Sequence, residues 1–175
     1  MAFDEGRFGL KTWLRRRWCP LGHRPPWIVQ EEYEWLWLSA AVEPSSGTGV
    51  FLLLPNVEGS CLEIFLKHLR QELGEGEIGV GLDNASSHHS SQLDWPENMH
   101  PLPLPPYSPE LNPAEQIFRH LRKKLSNRLF TTLDELQDAL IDELQLFWEQ
   151  PTLLLHLTGY PWWLQAVESN ISSSS

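Results

Sequence analysis

The sequence predicts an α/β fold in which helices flank a mixed, five-stranded sheet. Three strand-like runs come first, a helical segment then leads into short apolar strands, and further helical segments fill the C-terminal part. Strands joined by turns are usually antiparallel neighbours, whereas a strand reached through a helix is typical of a parallel crossover. We therefore expect both kinds of pairing in one sheet.

The N-terminal part is predicted to form an antiparallel meander of three strands. Residues 2–10 are interpreted as the end of one strand and the turn into the next, and residues 15–22 as an exposed loop. Residues 33–42 are dense in apolar and aromatic side chains, and residues 49–54 form a second apolar run after a turn. Together these segments predict one half of the sheet.

A helix and two short strands are predicted to follow the meander. Apolar residues recur at helical spacing between 62 and 73, and Gly74 and Gly76 end the pattern. Residues 78–82 form a short apolar run that predicts a buried strand. Residues 100–104 predict a strand at an edge of the sheet, because their prolines cannot donate hydrogen bonds to a neighbour.

Two helices are predicted in the C-terminal part. The first begins at Asn112, a favourable N-cap residue, with a proline at its first position and Glu115 at its third. The second begins after Thr132, and Pro151 is expected to end it. Residues 171–175 are predicted to be a disordered tail.

Composition indicates a globular protein without a membrane partner. The chain has 175 residues, of which 41% are hydrophobic, enough for one domain with a core. No apolar run reaches the length that a bilayer requires, and the acidic start, Asp4 and Glu5, is unlike a signal peptide. Cys19 and Cys61 are too far apart for a metal-type pair, so we expect reduced thiols in a cytoplasm.

Three acidic residues stand out because each adjoins a predicted core element. Asp4 lies in the first strand, Asp83 follows a buried strand, and Glu115 opens a helix. Each has a structural alternative. Asp83 can cap a turn, Glu115 completes the capping-box pattern Asn-x-x-Glu, and an acid near a terminus is ordinary. Glu5 and Glu110 are rival acids nearby, so the pattern alone leaves these interpretations open.

Basic side chains are grouped although the formal net charge is −10. That charge argues against a simple nucleic-acid binder, but two basic clusters have the composition of phosphate-binding surfaces. Solvated loop and helix faces are the alternative. The DNA-binding candidates are Arg15, Arg16 and Arg17 in the first cluster and Arg119, Arg122, Lys123 and Lys124 in the second.

Two sequence blocks resemble a known family. The first runs from Leu82 to His88 and reads LDNASSH; the second runs from Leu104 to Glu115 and reads LPPYSPELNPAE. With the opening FDEGRFGL, they resemble the catalytic domain of DDE-type transposases, in particular the bacterial insertion-sequence branch related to the mariner superfamily. The resemblance extends from about residue 2 to about residue 140, and the two blocks are specific in combination.

The resemblance implies a ribonuclease H-like (retroviral integrase-like) fold and a metal-dependent transposase or endonuclease that cuts and joins DNA phosphodiester bonds. It implies that Asp4, Asp83 and Glu115 are catalytic and bind two Mg²⁺ or Mn²⁺ ions. Such ions prefer hard oxygen ligands, and a pair of them assists both the attacking and the leaving oxygen of a phosphodiester. The implied accessory positions are Asn84, His88 and Asn112.

The resemblance also implies partners and a domain organisation. The partners are the element's terminal repeats and target DNA, with a homodimer as the active form in the bacterial cytoplasm, at the nucleoid when bound to DNA. We expect residues 1–170 to form the catalytic domain, with a truncated first strand because Asp4 stands close to Met1, and without the helix-turn-helix region usual in the family. The chain could be completed by a separately encoded N-terminal half.

Two other interpretations follow from the same sequence. The chain could be a truncated, inactive remnant or a regulatory fragment that binds transposase or DNA. Another ribonuclease H-like nuclease, such as a junction resolvase, agrees less well with the second sequence block.

Overall fold

The computed structural model of the chain describes residues 1–16, 18–23, 29–83, 93–106 and 108–165. The strands are β1 (Ala2–Gly9), β2 (Trp35–Glu43), β3 (Thr48–Leu54), β4 (Ile78–Leu82) and β5 (Met99–Pro103). The helices are α1 (Gly59–Leu73), α2 (Glu115–Leu125), α3 (Leu133–Glu149) and α4 (Pro151–Thr158), and a short 3-10 turn spans Pro109–Leu111. The strands form one sheet in the order β3-β2-β1-β4-β5, which confirms the predicted α/β class.

The strands β1, β2 and β3 form the predicted antiparallel meander. β1 pairs with β2 along its whole length, and β2 pairs with β3. The predicted turn within residues 2–10 was wrong, because Ala2–Gly9 is one continuous strand. Glycine is a turn signal, but here Gly6 and Gly9 make room for the rings of Phe118 and Trp35, which a Cβ atom would strike.

The strands β4 and β5 add the parallel half of the sheet. α1 leads from β3 to β4, β4 is parallel to β1, and β5 is parallel to β4 at the edge, as predicted. The pairing of β1 with β4 is short: Ala2 pairs with Gly81, and the Met1 carbonyl oxygen accepts from the Gly81 amide at 2.7 Å. β1 itself is a continuous strand of eight residues that pairs along its whole length with β2.

Two hydrophobic cores lie on opposite faces of the sheet. Phe3 of β1 belongs to the core under α1, whereas Phe8 belongs to the core under α2, α3 and α4. Successive side chains of a strand point to opposite faces. Asp4 therefore shares the face of Phe8, which packs against Phe118 of α2, while Glu5 shares the face of Phe3.

The C-terminal helices differ from the prediction at one point. α3 ends before Pro151 as expected, but Pro151 also begins α4, which the sequence analysis missed. Proline is favourable at the first position of a helix, where its missing amide costs nothing. No helix within the described ranges is both long and apolar enough to cross a bilayer.

The close approach of α2 to β1 gives a test of the packing. Gly6→Ala should lower the free energy of unfolding by about 1–3 kcal/mol, because overpacking costs that much and its Cβ would lie 2.5 Å from Phe118 Cδ1. Urea denaturation measures the change. Gly76→Ala is the matched control, since nothing lies within 4 Å of its added Cβ; equal midpoints for the two variants would contradict the prediction.

Candidate active site

Asp4 and Asp83 lie on neighbouring strands at the same level of the sheet. Ala2 pairs with Gly81 in parallel register, so two residues further on Asp4 is opposite Asp83, which directly follows β4. Side chains two positions apart share a face of the sheet, and Gly81 faces Trp163, a member of the core under α2–α4. Both acids therefore lie on the face that α2 covers.

Asn112 fastens the start of α2 to β1 and thereby brings Glu115 to the same place. Its side chain is only 3% exposed. The Nδ2 group donates to the Phe3 carbonyl oxygen at 2.8 Å, and the Oδ1 atom accepts from the Ala114 amide at 3.0 Å. Because Phe3 directly precedes Asp4, these two bonds set Glu115, the first residue of α2, beside Asp4.

The capping-box alternative for Glu115 does not describe this helix start. In a capping box the N-cap side chain accepts from the amide three positions later, and the carboxylate there accepts from the N-cap amide. Here Asn112 Oδ1 accepts from Ala114 instead, and the Asn112 amide donates to the Pro109 carbonyl oxygen at 3.0 Å. The α-helix consequently begins at Glu115 and not at Asn112, and no hydrogen bond between described residues uses the Glu115 carboxylate.

The second occurrence of the pattern, at the start of α3, does form a structural cap. Thr132 Oγ1 accepts from the Glu135 amide at 3.2 Å, and a carboxylate oxygen of Glu135 accepts from the Thr131 amide at 2.6 Å. The same residue spacing therefore caps the helix at the start of α3 but does not form a capping box at the start of α2.

The charges of the three acids interact. Burial raises the pKa of Asp4 to about 8, and the negative charges of Glu115, Glu5 and Asp83 add to the effect, Glu115 most. The Glu5 amide, which donates to Asp4 Oδ1 at 2.8 Å, works in the opposite direction. Asp4 therefore keeps a proton at neutral pH, because an additional negative charge there would be both desolvated and repelled.

The carboxylates of Asp4, Asp83 and Glu115 are chemically suited to bind a divalent metal ion, although they do not form a preformed coordination site. Three carboxylates offer only hard oxygen ligands, which Mg²⁺ and Mn²⁺ prefer, and a cation would offset both the desolvation and the repulsion that raise the pKa of Asp4. Among the described residues, no three His, Cys, Asp or Glu side chains form a ready-made metal cluster.

The rival acids lie elsewhere. Glu5 follows Asp4 along β1 and so belongs to the opposite face of the sheet. Glu110 is exposed in the 3-10 turn before α2. Of the remaining predicted site residues, Arg17, Asn84 and His88 lie outside the described residues.

The two predicted basic clusters meet beside Glu115. A cavity of about 380 Å³ opens between the segment after β1 and one face of α2, and we call it the basic groove. Residues from both clusters line it together with two apolar side chains that sequence reasoning missed. The lining residues are Trp13, Leu14, Arg15, Glu115, Arg119, Arg122 and Lys123.

Asn127 joins the two walls of the basic groove. Its amide donates to the Trp13 carbonyl oxygen at 2.9 Å, and its Oδ1 atom accepts from the Arg15 amide at 3.1 Å. Asn127 has a left-handed backbone with φ of 59°, a conformation that asparagine tolerates well after a helix. An asparagine two residues after the end of a helix is a turn signal, which could have located this link from the sequence.

The other two basic candidates do not line the basic groove. The Lys124 ammonium lies 3.4 Å from a carboxylate oxygen of Glu143 on α3, so the structure directs it away from the groove. Arg16 is exposed next to the groove residue Arg15.

The sheet order, the helices on both faces and the position of the acids define a ribonuclease H-like fold. Solved structures with this fold agree. A Mos1 transposase paired-end complex with left transposon end superposes with a TM-score of 0.61 at 18% identity, over 89% of this chain and 52% of that chain. A pre-cleavage Mos1 transpososome gives a TM-score of 0.62 at 18% identity, over 96% and 54%. The chain thus spans about half the length of the Mos1 chains.

The chain belongs to the DDE superfamily endonuclease family, whose sequence model matches residues 1–137. This match confirms the resemblance that the two sequence blocks indicated. A curated relative from Sinorhizobium fredii, named Uncharacterized protein y4pE/y4sA, is 35% identical over 104 residues, which cover 58% of this chain and 77% of that protein.

The raised pKa of Asp4 predicts how stability depends on pH. An acid with a raised folded-state pKa contributes fully below its unfolded pKa, about 3.9, and loses that contribution as the pH rises toward about 8. The free energy of unfolding of Asp4→Asn, taken relative to the wild type, should therefore increase as the pH rises from about 4 to about 8. Above that pH the difference should stay constant. Urea denaturation with a chelator present measures both proteins, and a difference that is independent of pH would contradict the assignment.

The buried amide of Asn112 gives a second test. Asn112→Ala should lower the free energy of unfolding by about 2 kcal/mol or more, because it removes two buried hydrogen bonds, one to the Phe3 carbonyl oxygen and one from the Ala114 amide. Ser126→Ala is the control, since it removes an exposed hydrogen bond at the other end of α2 and should cost less than about 1 kcal/mol. Similar losses in the two variants would show that the Asn112 bonds do not hold the helix.

Proposed function

We propose that the chain is the catalytic domain of a DNA transposase, which cuts and joins phosphodiester bonds with divalent metal ions. Two observations support the proposal: Asp4 and Asp83 lie at the same level of neighbouring strands, and Glu115, whose charge acts on Asp4, lines the basic groove. The family match and the fold shared with Mos1 transposase support it.

Asp4, Asp83 and Glu115 would hold two Mg²⁺ or Mn²⁺ ions. Their all-oxygen donor set suits these ions, and two of the Mos1 structures with this fold are complexes with Mn and with Mg. When bound, a pair of such ions activates the attacking oxygen and stabilises the leaving oxygen of a phosphodiester. Asp4 would give up its proton on becoming a ligand, because only the carboxylate binds metal.

The other residues of the site position these groups. Asn112 keeps α2 against β1 and so fixes Glu115 relative to Asp4. The cations of the basic groove would hold phosphates of the DNA strand that leads to the scissile bond. Such positioning accounts for much of the rate of a bond-exchange reaction, since the reactants no longer have to find each other.

The proposed reaction has two steps. Water attacks a phosphodiester at the end of the element and leaves a free 3′-hydroxyl group. That hydroxyl then attacks a phosphodiester of the target in line and displaces the target's own 3′-oxygen, so that one bond breaks for each bond that forms. The partners are therefore the terminal repeats and target DNA, and joining two ends calls for two copies of the chain.

Acid substitutions test this proposal directly. Asp83→Ala and Glu115→Ala should reduce Mn²⁺-dependent nicking of a plasmid that carries the DNA flanking the coding sequence by more than about 100-fold, because losing a ligand costs more than losing its supporting partner. Glu110→Ala is the matched control, an exposed acid five positions before Glu115, and it should nick like the wild type.

The same assay separates the alternatives. Equal nicking by the wild type and Asp83→Ala would remove Asp83 from the mechanism. DNA binding without Mn²⁺-dependent nicking by the wild type would instead favour the regulatory fragment.

A further inference from the structure

The basic groove carries a regular row of positive charge. Arg119, Arg122 and Lys123 stand four, seven and eight positions after Glu115, so they share one face of α2. A rise of about 1.5 Å per residue spreads this face over about 12 Å from Glu115 to Lys123. Arg15 lines the same cavity from the other wall. From Arg119 to Lys123 the cations of α2 span about 6 Å, which corresponds to about two phosphates at the roughly 3.4 Å of axis per phosphate of one duplex strand.

The basic groove also has an apolar side. Leu14 is 53% exposed, and Trp13 packs edge-on against the Phe8 ring with centroids 5.4 Å apart. Both line the cavity among the cations. Bases inside a duplex are already stacked on both faces, whereas an unpaired base gains from contact with an apolar or aromatic side chain. A groove with both cations and apolar side chains is therefore typical of sites for single strands.

The size and rigidity of the groove point the same way. Its volume of about 380 Å³ is near the lower end for ligand sites, which suits a nucleotide-sized group. Asn127 holds both walls through two backbone bonds, and the Arg122 guanidinium lies 5.6 Å from the centre of the Phe8 ring. Because the walls are fixed before a ligand enters, little conformational entropy is lost on binding.

We infer that the basic groove binds an unpaired segment of a DNA strand. The phosphates contact Arg15, Arg119, Arg122 and Lys123, and a base contacts Leu14 and Trp13. The groove thus favours DNA whose strands have separated next to the scissile bond. The purpose of this binding rests on the proposed function, but the binding itself requires neither metal nor cleavage.

Binding is measured by fluorescence anisotropy with a chelator present, so that no strand is cut. The probes are a short single strand, a blunt duplex of the same sequence, and that duplex with a short 3′ overhang. The single strand and the overhang should bind about tenfold more tightly than the blunt duplex, with a salt dependence of about −0.7 in log–log slope per phosphate contacted. Arg119→Ala and Lys123→Ala, both exposed, should each reduce that slope by about 0.7.

Two controls separate the groove from general effects. Leu14→Ser should weaken single-strand binding about fivefold or more, in line with the contribution of base contacts, whereas Leu129→Ser, a residue 45% exposed outside the groove, should not. Lys67→Ala removes an exposed cation on α1, across the sheet, and should leave the slope unchanged.

The outcomes also distinguish this inference from the proposed function. Equal affinity for the blunt duplex and the single strand would overturn the inference, as would unchanged single-strand affinity in Arg119→Ala and Leu14→Ser. Nicking that depends on Asp83 would then still support the proposed function. Conversely, groove-dependent single-strand binding by a chain that does not nick would support the inference alone.

Discussion

The candidate site depends on one buried side chain that joins segments from opposite parts of the chain. Asn112 connects β1 to the start of α2 across 109 positions of sequence. Its two partners differ in kind, because the Phe3 carbonyl needs a donor and the Ala114 amide needs an acceptor. A neutral carboxamide supplies both from one planar group, whereas a carboxylate accepts only. An aspartate would therefore remove the donor that Asn112 supplies to this carbonyl and add a further negative charge beside Asp4.

Small residues next to the acids allow α2 and the indole of Trp163 to pack closely against β1 and β4. On the face of β1 that carries Asp4, its neighbours two positions away are Ala2 and Gly6, and Gly6 lets the Phe118 ring reach the strand. On β4, Gly81 lies two positions before Asp83 and accommodates the indole of Trp163. Large rings can therefore pack against the strands next to Asp4 and Asp83. Burial in this dense surrounding, together with the neighbouring negative charges, raises the pKa of Asp4.

Local patterns predicted most of the fold and less of the site. The strand 78–82 was predicted at its observed bounds because its apolar run is short and clearly limited, and Thr132 predicted the start of α3 because its cap is local. Residues 2–10 were misinterpreted because the glycines that signal a turn are needed for contacts with distant rings. The α-helix begins at Glu115 for a similar reason, since the Asn112 side chain bonds to β1 and to the Ala114 amide and not to the Glu115 amide that a capping box would use.

Predicting the site from sequence required knowledge of register as well as residue type. The choice of Asp4 over Glu5 follows from the face of β1 that meets α2, which no local pattern contains. The sequence predicted the cations of the basic groove, because they form two clusters along the chain. It did not predict that the clusters face each other, because that depends on the hydrogen bond from Asn127 to Trp13. Lys124 shows the limit of composition, since it continues the basic run and yet pairs with Glu143.

The acidic net charge and the basic groove are compatible because charge acts over a short range. At physiological ionic strength exposed charges are screened beyond about 8 Å, so a phosphate inside the groove interacts mainly with its lining cations. The acidic excess, formally −10 for the chain, acts instead on DNA that approaches other surfaces, where it opposes binding. A uniformly basic domain would bind duplex DNA anywhere on its surface. Here the cations of the basic groove lie next to Glu115, so this charge distribution agrees with the proposal that a DNA strand is held beside the acids and repelled elsewhere.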